Sequence, residues 1–252
     1  MVKLSACIEM LWNDLPFAER IRRTAAIGVP AYEFWGWRNK DLDAIEAAMR
    51  DCGLPLAVLA LDPMGQLVVR DAQAALVRSM RETVAVAQRL GCPTIIATTG
   101  NTLPDESFDA TRRRVVRHLR ALAPLAEDAG LTLAIEPLNT LVNHQGYWLT
   151  RMSEAVDIVE EVDSPAVKVL MDIYHQQVQE GNIISNLTVY AHHIGHFHSA
   201  GVPGRHELVG GELDYRAIYR AIDATGYAGY VGLEFSPTRP AEEGLREALS
   251  LV

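Results

Sequence analysis

At 252 residues, 49% of them hydrophobic and 22% charged, the chain can bury one large core and has neither a disordered nor a fibrous composition. Its net charge of -9, with 23 basic residues scattered apart from Arg112-Arg113-Arg114 in a helical stretch, argues against a nucleic-acid partner. Cys7, Cys52 and Cys92 lack Cys-x-x-Cys spacing, which removes a disulfide framework or zinc knuckle, and no apolar run reaches membrane-spanning length.

The chain opens directly into a strand-like segment, without the basic and apolar regions of a secretory signal, so a cytoplasmic location is expected. Short aliphatic runs then alternate with stretches of helical spacing to the end. The predicted strands are residues 4–10, 31–35, 56–61, 94–98, 131–136, 167–172, 194–198 and 230–234. Helices are predicted near 15–28, 41–52, 71–90, 106–129, 151–162, 179–192, 214–225 and 240–250. Gly28, Gly53, Gly91, Gly130 and Gly226 sit where helix-terminating glycines belong. Eight strand-helix units, without a glycine-rich phosphate turn or a linker, imply a single-domain (β/α)8 TIM barrel over residues 1–252.

In such a barrel the chemistry sits where the strands end, on the face built by the βα loops. The last four strands end in Glu136, Asp172, His198 and Glu234. Their separations of 36, 26 and 36 positions are each about one βα unit, so adjacent strands could bring them to one point. A single acidic strand end is more often a helix cap or a solvated loop residue. Four in succession fit that account poorly, because so many ionisable groups facing inward would repel one another without a cation. Three carboxylates and one imidazole suit Mn²⁺ or Mg²⁺, or Co²⁺, better than a structural zinc.

His196 shares the face of His198 one layer deeper, and on its own would read as a satisfied core histidine. Around the same mouth, His175 lies three residues past Asp172, and Asn139, His144 and Gln145 follow the fifth strand. Arg205 suits a substrate carboxylate or hydroxyl, or else forms a loop ion pair with Glu207. Trp12, Trp35 and Trp37 could wall a pocket or simply pack on the rim. Lys168, on the inward parity of the sixth strand, should emerge at the opposite mouth.

These segments, Ile135-Glu136-Pro-Leu-Asn139, Met171-Asp172-Ile-Tyr-His175, Gly195-His196-Phe-His198, Ala200-Gly-Val-Pro-Gly-Arg205-His206-Glu207 and Gly232-Leu-Glu234-Phe, resemble the hydroxypyruvate isomerase family within the xylose-isomerase-like barrels. The resemblance implies that Glu136, Asp172, His198 and Glu234 hold a divalent metal, that Glu136 and Glu234 form the acid/base pair, and that His175 and Arg205 hold substrate oxygens. From their places around the mouth, independently of the resemblance, Asn139, His144, Glu207, Trp12 and Trp35 are further substrate-side candidates. Two departures bear on the substrate. His198 stands where some hydroxypyruvate isomerases carry glutamine and related ketose 3-epimerases carry histidine. Conversely, the epimerases' second glutamate is missing from Asn139-Thr140-Leu141-Val142.

The expected reaction is a proton shift on an α-hydroxycarbonyl compound through an enediolate, with hydroxypyruvate as the expected substrate. Ketose 3-epimerisation, a lyase or dehydratase acting on keto sugars, and a non-catalytic sugar-binding barrel are the rival readings. A small molecule is the expected partner. Related barrels are often dimers or tetramers, and the rim aromatics are compatible with a homo-oligomer.

Overall fold

The computed structural model describes residues 1–252, and in it the alternating hydrophobic pattern becomes a closed barrel. Strands β1 (Lys3–Cys7), β2 (Ala31–Glu33), β3 (Leu56–Ala60), β4 (Thr94–Thr98), β5 (Thr132–Glu136), β6 (Val167–Asp172), β7 (Ile194–Ser199) and β8 (Tyr230–Leu233) are parallel and in chain order, with β8 pairing back onto β1. Helices α1 (Phe17–Ile27), α2 (Leu42–Cys52), α3 (Gln73–Arg89), α4 (Phe108–Ala129), α5 (Met152–Val162), α6 (Ile173–Gln179), α7 (Ile183–Val189), α8 (Tyr215–Ala224) and α9 (Ala241–Leu249) surround it. None is long and apolar enough to cross a membrane.

Parallel strands covered on their outer face by helices carry little polar surface, which explains their aliphatic sequences. The helices supply the complementary apolar stripe. In α8, for example, Tyr215, Ile218, Tyr219 and Ile222 are buried at the spacing of one helical face. Asp41, Ser107, Asp172 and Asp214 cap α2, α4, α6 and α8 by accepting from the backbone N–H three residues on.

One predicted helix is corrected. The stretch 179–192 is not continuous: α6 starts immediately after β6, and the chain breaks at Gly181 and Asn182, both left-handed, before α7 and a 3₁₀ turn. The cause lies in Asp172, whose side chain accepts from the His175 N–H at 3.1 Å and so nucleates a helix at the strand end.

Register then places the functional ends. Asp172 pairs with His198, His198 with Gly232, and Thr98 with Glu136. Below them the barrel interior is narrow and largely apolar on β2 to β6, with Ala31, Ala60, Ile96, Ala134 and Leu170 packed together. Polar groups of β1, β2 and β7, namely Ser5, Glu33, His196 and His198, gather on the remaining side. Lys168, as expected, leaves by the far end, where its ammonium donates to the His192 carbonyl at 3.0 Å.

Leu133 has the opposite parity to Glu136 and is fully buried in the large core between strands and helices. Leu133→Ala should lower unfolding free energy by about 2–5 kcal/mol. In urea denaturation this appears as a lower midpoint with an unchanged slope.

Candidate active site

A cavity of about 310 Å³ opens at the C-terminal mouth of the barrel. Glu136, His198, Glu234, Arg205, His175 and His144 line it, together with Trp35, Met64, Gly65, Thr98, Asn101 and Tyr147. One ligand atom from each of Glu136, Asp172, His198 and Glu234 lies within 4.8 Å of the others, and all four residues are buried. The structure thus gathers the four strand-end residues.

Their electrostatics are those of an anionic cluster calling for positive charge. Arg205 answers part of that demand: its Nη2 contacts Glu234 and lies 3.3 Å from Asp172 Oδ2, with Tyr174 beneath the guanidinium. Burial opposes the charge on Arg205, but Glu234 and Asp172 outweigh it and keep the group protonated. His198 Nδ1 points between Glu234 Oε2, at 3.1 Å, and Glu136 Oε1, at 3.7 Å, without an aligned hydrogen bond to either. Burial works against its protonation too, and Glu234 and Glu33 drive its pKa well above the usual imidazole range.

The two glutamates are pushed apart. Burial raises Glu136 far above the usual carboxylate range. Glu234 is equally buried, yet Arg205 and His198 hold its carboxyl well below that range. Trp35 fixes the second oxygen of Glu234, its indole N–H donating to Oε1 at 2.8 Å.

His175 is oriented by Asn139. The Asn139 Oδ1 accepts from the N–H groups of Val142 and Asn143, so its Nδ2 faces His175 Nδ1 at 2.6 Å. An acceptor at Nδ1 places the ring proton on Nε2, which lies buried 3.6 Å from Asp172 Oδ2 without an aligned hydrogen bond. Burial lowers the His175 pKa to about 4, so the ring is a neutral donor near pH 7. His144 stacks edge-on against it with centroids 5.0 Å apart. The backbones of His144 and Arg205 are both left-handed, at φ 47° and 60°, a conformation that non-glycine residues hold only where surroundings enforce it.

Three sequence-based substrate contacts lie elsewhere. Glu207 does not reach the cavity or pair with Arg205: it accepts from the Thr238 N–H at 2.9 Å and hydroxyl at 2.8 Å, tying the loop after β7 to the loop after β8. The Ser236 N–H donates to the Arg205 carbonyl, and His206 Nδ1 reaches the Ser236 carbonyl, both at 2.8 Å, completing the seam. Trp12 turns outward and donates to Glu242 at 3.0 Å. Asn139 is fully buried behind His175 and orients that ring rather than lining the cavity. Trp37 likewise faces away, bonded to Thr83.

Sequence reasoning passed over Glu33. This buried residue on β2 receives Ser5 Oγ at 2.9 Å and His196 Nε2 at 3.0 Å on Oε2, while Oε1 lies 3.0 Å from His198 Nε2. Burial raises its pKa, but His198 and His196 bring it down to about 2. Its shared parity with Trp35 was the available signal.

Comparison with known proteins agrees with the architecture. A hydroxypyruvate isomerase of Escherichia coli is 29% identical, covering 98% of both chains. A 2-oxo-tetronate isomerase of Pectobacterium atrosepticum is 27% identical over 97% of this chain and 96% of its own. A Brucella melitensis structure described as an AP endonuclease of family 2 matches with a TM-score of 0.94 and 28% identity over 99% of both chains. The family model described as xylose isomerase-like TIM barrel matches residues 21–252, and the chain belongs to that family.

Proposed function

We propose that the chain is a divalent-metal-dependent isomerase that moves a proton between adjacent carbons of a short α-hydroxycarbonyl acid, converting hydroxypyruvate to tartronate semialdehyde. The observation that carries this reading is the buried pair Glu136 and Glu234, which both line the cavity, with burial raising the first carboxyl and, against its own burial, Arg205 and His198 lowering the second. Two carboxyl groups with pKa values driven apart are the form an acid/base pair takes.

The donor set fits a metal. His198 Nδ1 is buried without an aligned partner, and the carboxylates around it draw in the arginine and the imidazole as the available positive charges. Glu136, Asp172, His198 and Glu234 would hold the cation, with Mn²⁺ or Mg²⁺ the expected ions and Co²⁺ also suited. Bound there, it would supply Lewis-acid polarisation of the substrate's carbonyl and hydroxyl oxygens.

The chain's own groups account for the proton movements. Glu234, ionised and held by the Trp35 indole, removes the proton from the hydroxyl-bearing carbon. This leaves an enediolate; Glu136, whose burial makes it the more readily protonated of the two, delivers a proton to the former carbonyl carbon while the hydroxyl proton on the neighbouring carbon passes to the former carbonyl oxygen, which leaves the aldehyde. His175 Nε2–H donates to a substrate oxygen, and His144 contributes to the cavity wall beside it. Arg205 can form paired hydrogen bonds with a carboxylate. Both isomerase relatives have names specifying 2-oxo acids, which agrees with an anion-binding arginine in the wall. The net charge of -9 favours a small molecule over nucleic acid despite the endonuclease description of the Brucella protein. Val142, at the position of the epimerases' second glutamate, is 63% exposed, which weighs against a ketose 3-epimerase.

Metal-loaded protein in D₂O should exchange carbon-bound hydrogen of hydroxypyruvate and form tartronate semialdehyde, with both changes visible by NMR and abolished by EDTA. Exchange confined to ketoses would instead favour epimerisation. Glu136→Gln and Glu234→Gln should each lower turnover by about 10²–10⁴-fold while leaving the fold intact. Wild-type rates in both variants would sink the mechanism. Arg205→Met should raise KM for the acid by roughly ten- to hundredfold, and by much less for an uncharged ketose. Because burial raises Glu136 and a metal binds the ionised carboxylate, Mn²⁺ affinity should increase with pH. Calorimetry in buffers of different ionisation enthalpy should show the accompanying proton release.

A further inference from the structure

We infer that Glu33 is a positioning residue that holds the His198 ring so that its Nδ1 faces the metal-binding cluster. This rests on the metal-dependent reading above and assigns a role to a strand distant in sequence from the four ligands.

The geometry separates the two oxygens of this carboxylate. Oε2 is engaged by Ser5 and His196, whereas Oε1 is buried, lacks an aligned donor and lies 3.0 Å from His198 Nε2. The ring is thereby bracketed: Nε2 on Glu33, Nδ1 toward Glu136 and Glu234. A proton on Nε2 leaves the Nδ1 lone pair for a cation, and a small ring rotation would align Nε2–H with Oε1. A carboxylate behind a ligating imidazole fixes its orientation and tautomer and increases its donor strength.

The barrel also keeps this contact open from β8. A Cβ on Gly232 would stand 2.0 Å from Glu33 Oε1 and 2.6 Å from His198 Cδ2. Glu33 has little room to retreat, because Ser5 and His196 tether its other oxygen. Ser5, Glu33 and His196 therefore form a supporting layer directly under the ligand histidine, and Gly232 leaves its space free. Although Glu33, His196 and His198 are close enough to hold an ion themselves, the engagement of Oε2 by Ser5 and His196 favours support over a second metal site.

The test is an electron-paramagnetic-resonance titration with Mn²⁺ on EDTA-stripped wild type, Glu33→Ala, Glu33→Gln and Gly232→Ala, paired with the visible absorption spectrum of each Co²⁺ form. Wild type should bind one equivalent. Glu33→Ala should bind about 10–100-fold more weakly and shift the Co²⁺ spectrum. Gly232→Ala should move in the same direction, while Glu33→Gln, which retains an acceptor and the side-chain shape, should recover part of the affinity. Thermal unfolding of the stripped proteins monitors the fold separately, and Glu33→Gln carries the comparison if the alanine variant does not fold. Wild-type affinity and spectra in every folded variant would overturn the inference while leaving the metal reading intact. Two tightly bound equivalents in wild type would also overturn it, because Glu33 and His196 would then be ligands. Failure of wild type to bind Mn²⁺ or Co²⁺ would overturn the metal reading itself, and the positioning role with it.

Discussion

The structure depends on reconciling four buried carboxylates at and just beneath one barrel mouth. Glu33, Glu136, Asp172 and Glu234 are each largely withdrawn from water, and isolated charges in such a place would be prohibitive. The fold answers with interleaved cations and donors: Arg205 against Asp172 and Glu234, His198 between Glu33 and Glu234, and Trp35 on Glu234. Several close contacts remain out of hydrogen-bond alignment, notably at His198, so the cluster is compact yet keeps unused donor capacity. A site of this kind sacrifices some stability for chemistry, as strained and incompletely matched polar groups do at functional positions.

Barrel geometry makes that concentration of charge feasible. Each strand alternates between the helical shell and the interior, so neighbouring strands can contribute chemically different residues without disturbing the outer core. The aliphatic interior of β2 to β6 forms a low-polarity wall opposite the histidines of β7. This asymmetry gives two glutamates in the same mouth different environments. Glu136 faces a mainly desolvating surround, whereas Glu234 lies beside a guanidinium.

Much of this was legible in the chain. The eight strands follow from hydrophobic runs, and Glu136, Asp172, His198 and Glu234 follow from the rule that barrel chemistry occupies strand ends. Glu33 was passed over because the second strand was expected to run on to residue 35, whereas β2 ends at Glu33 itself. Glu207 looked like a partner for Arg205 on sequence proximity, but the loop turns at a left-handed arginine and sends the glutamate toward Thr238. Trp12 was similarly misplaced because the reach of an aromatic ring depends on a backbone path that spacing does not specify. The split of the predicted helix after β6 depends on one acidic side chain acting as a cap.

The seam between the last two βα loops has an architectural consequence. Arg205, His206 and Glu207 all bond to residues Ser236 to Thr238, through main chain and side chain alike. These loops are separate in sequence but form a single mechanical plate, with Arg205 mounted on one half and the chain leaving Glu234 on the other. Lengthening or reshaping either half would therefore displace the arginine and the glutamate together. Variation in this corner of the barrel is best understood as exchange of a matched pair of loops, since neither is an independent module.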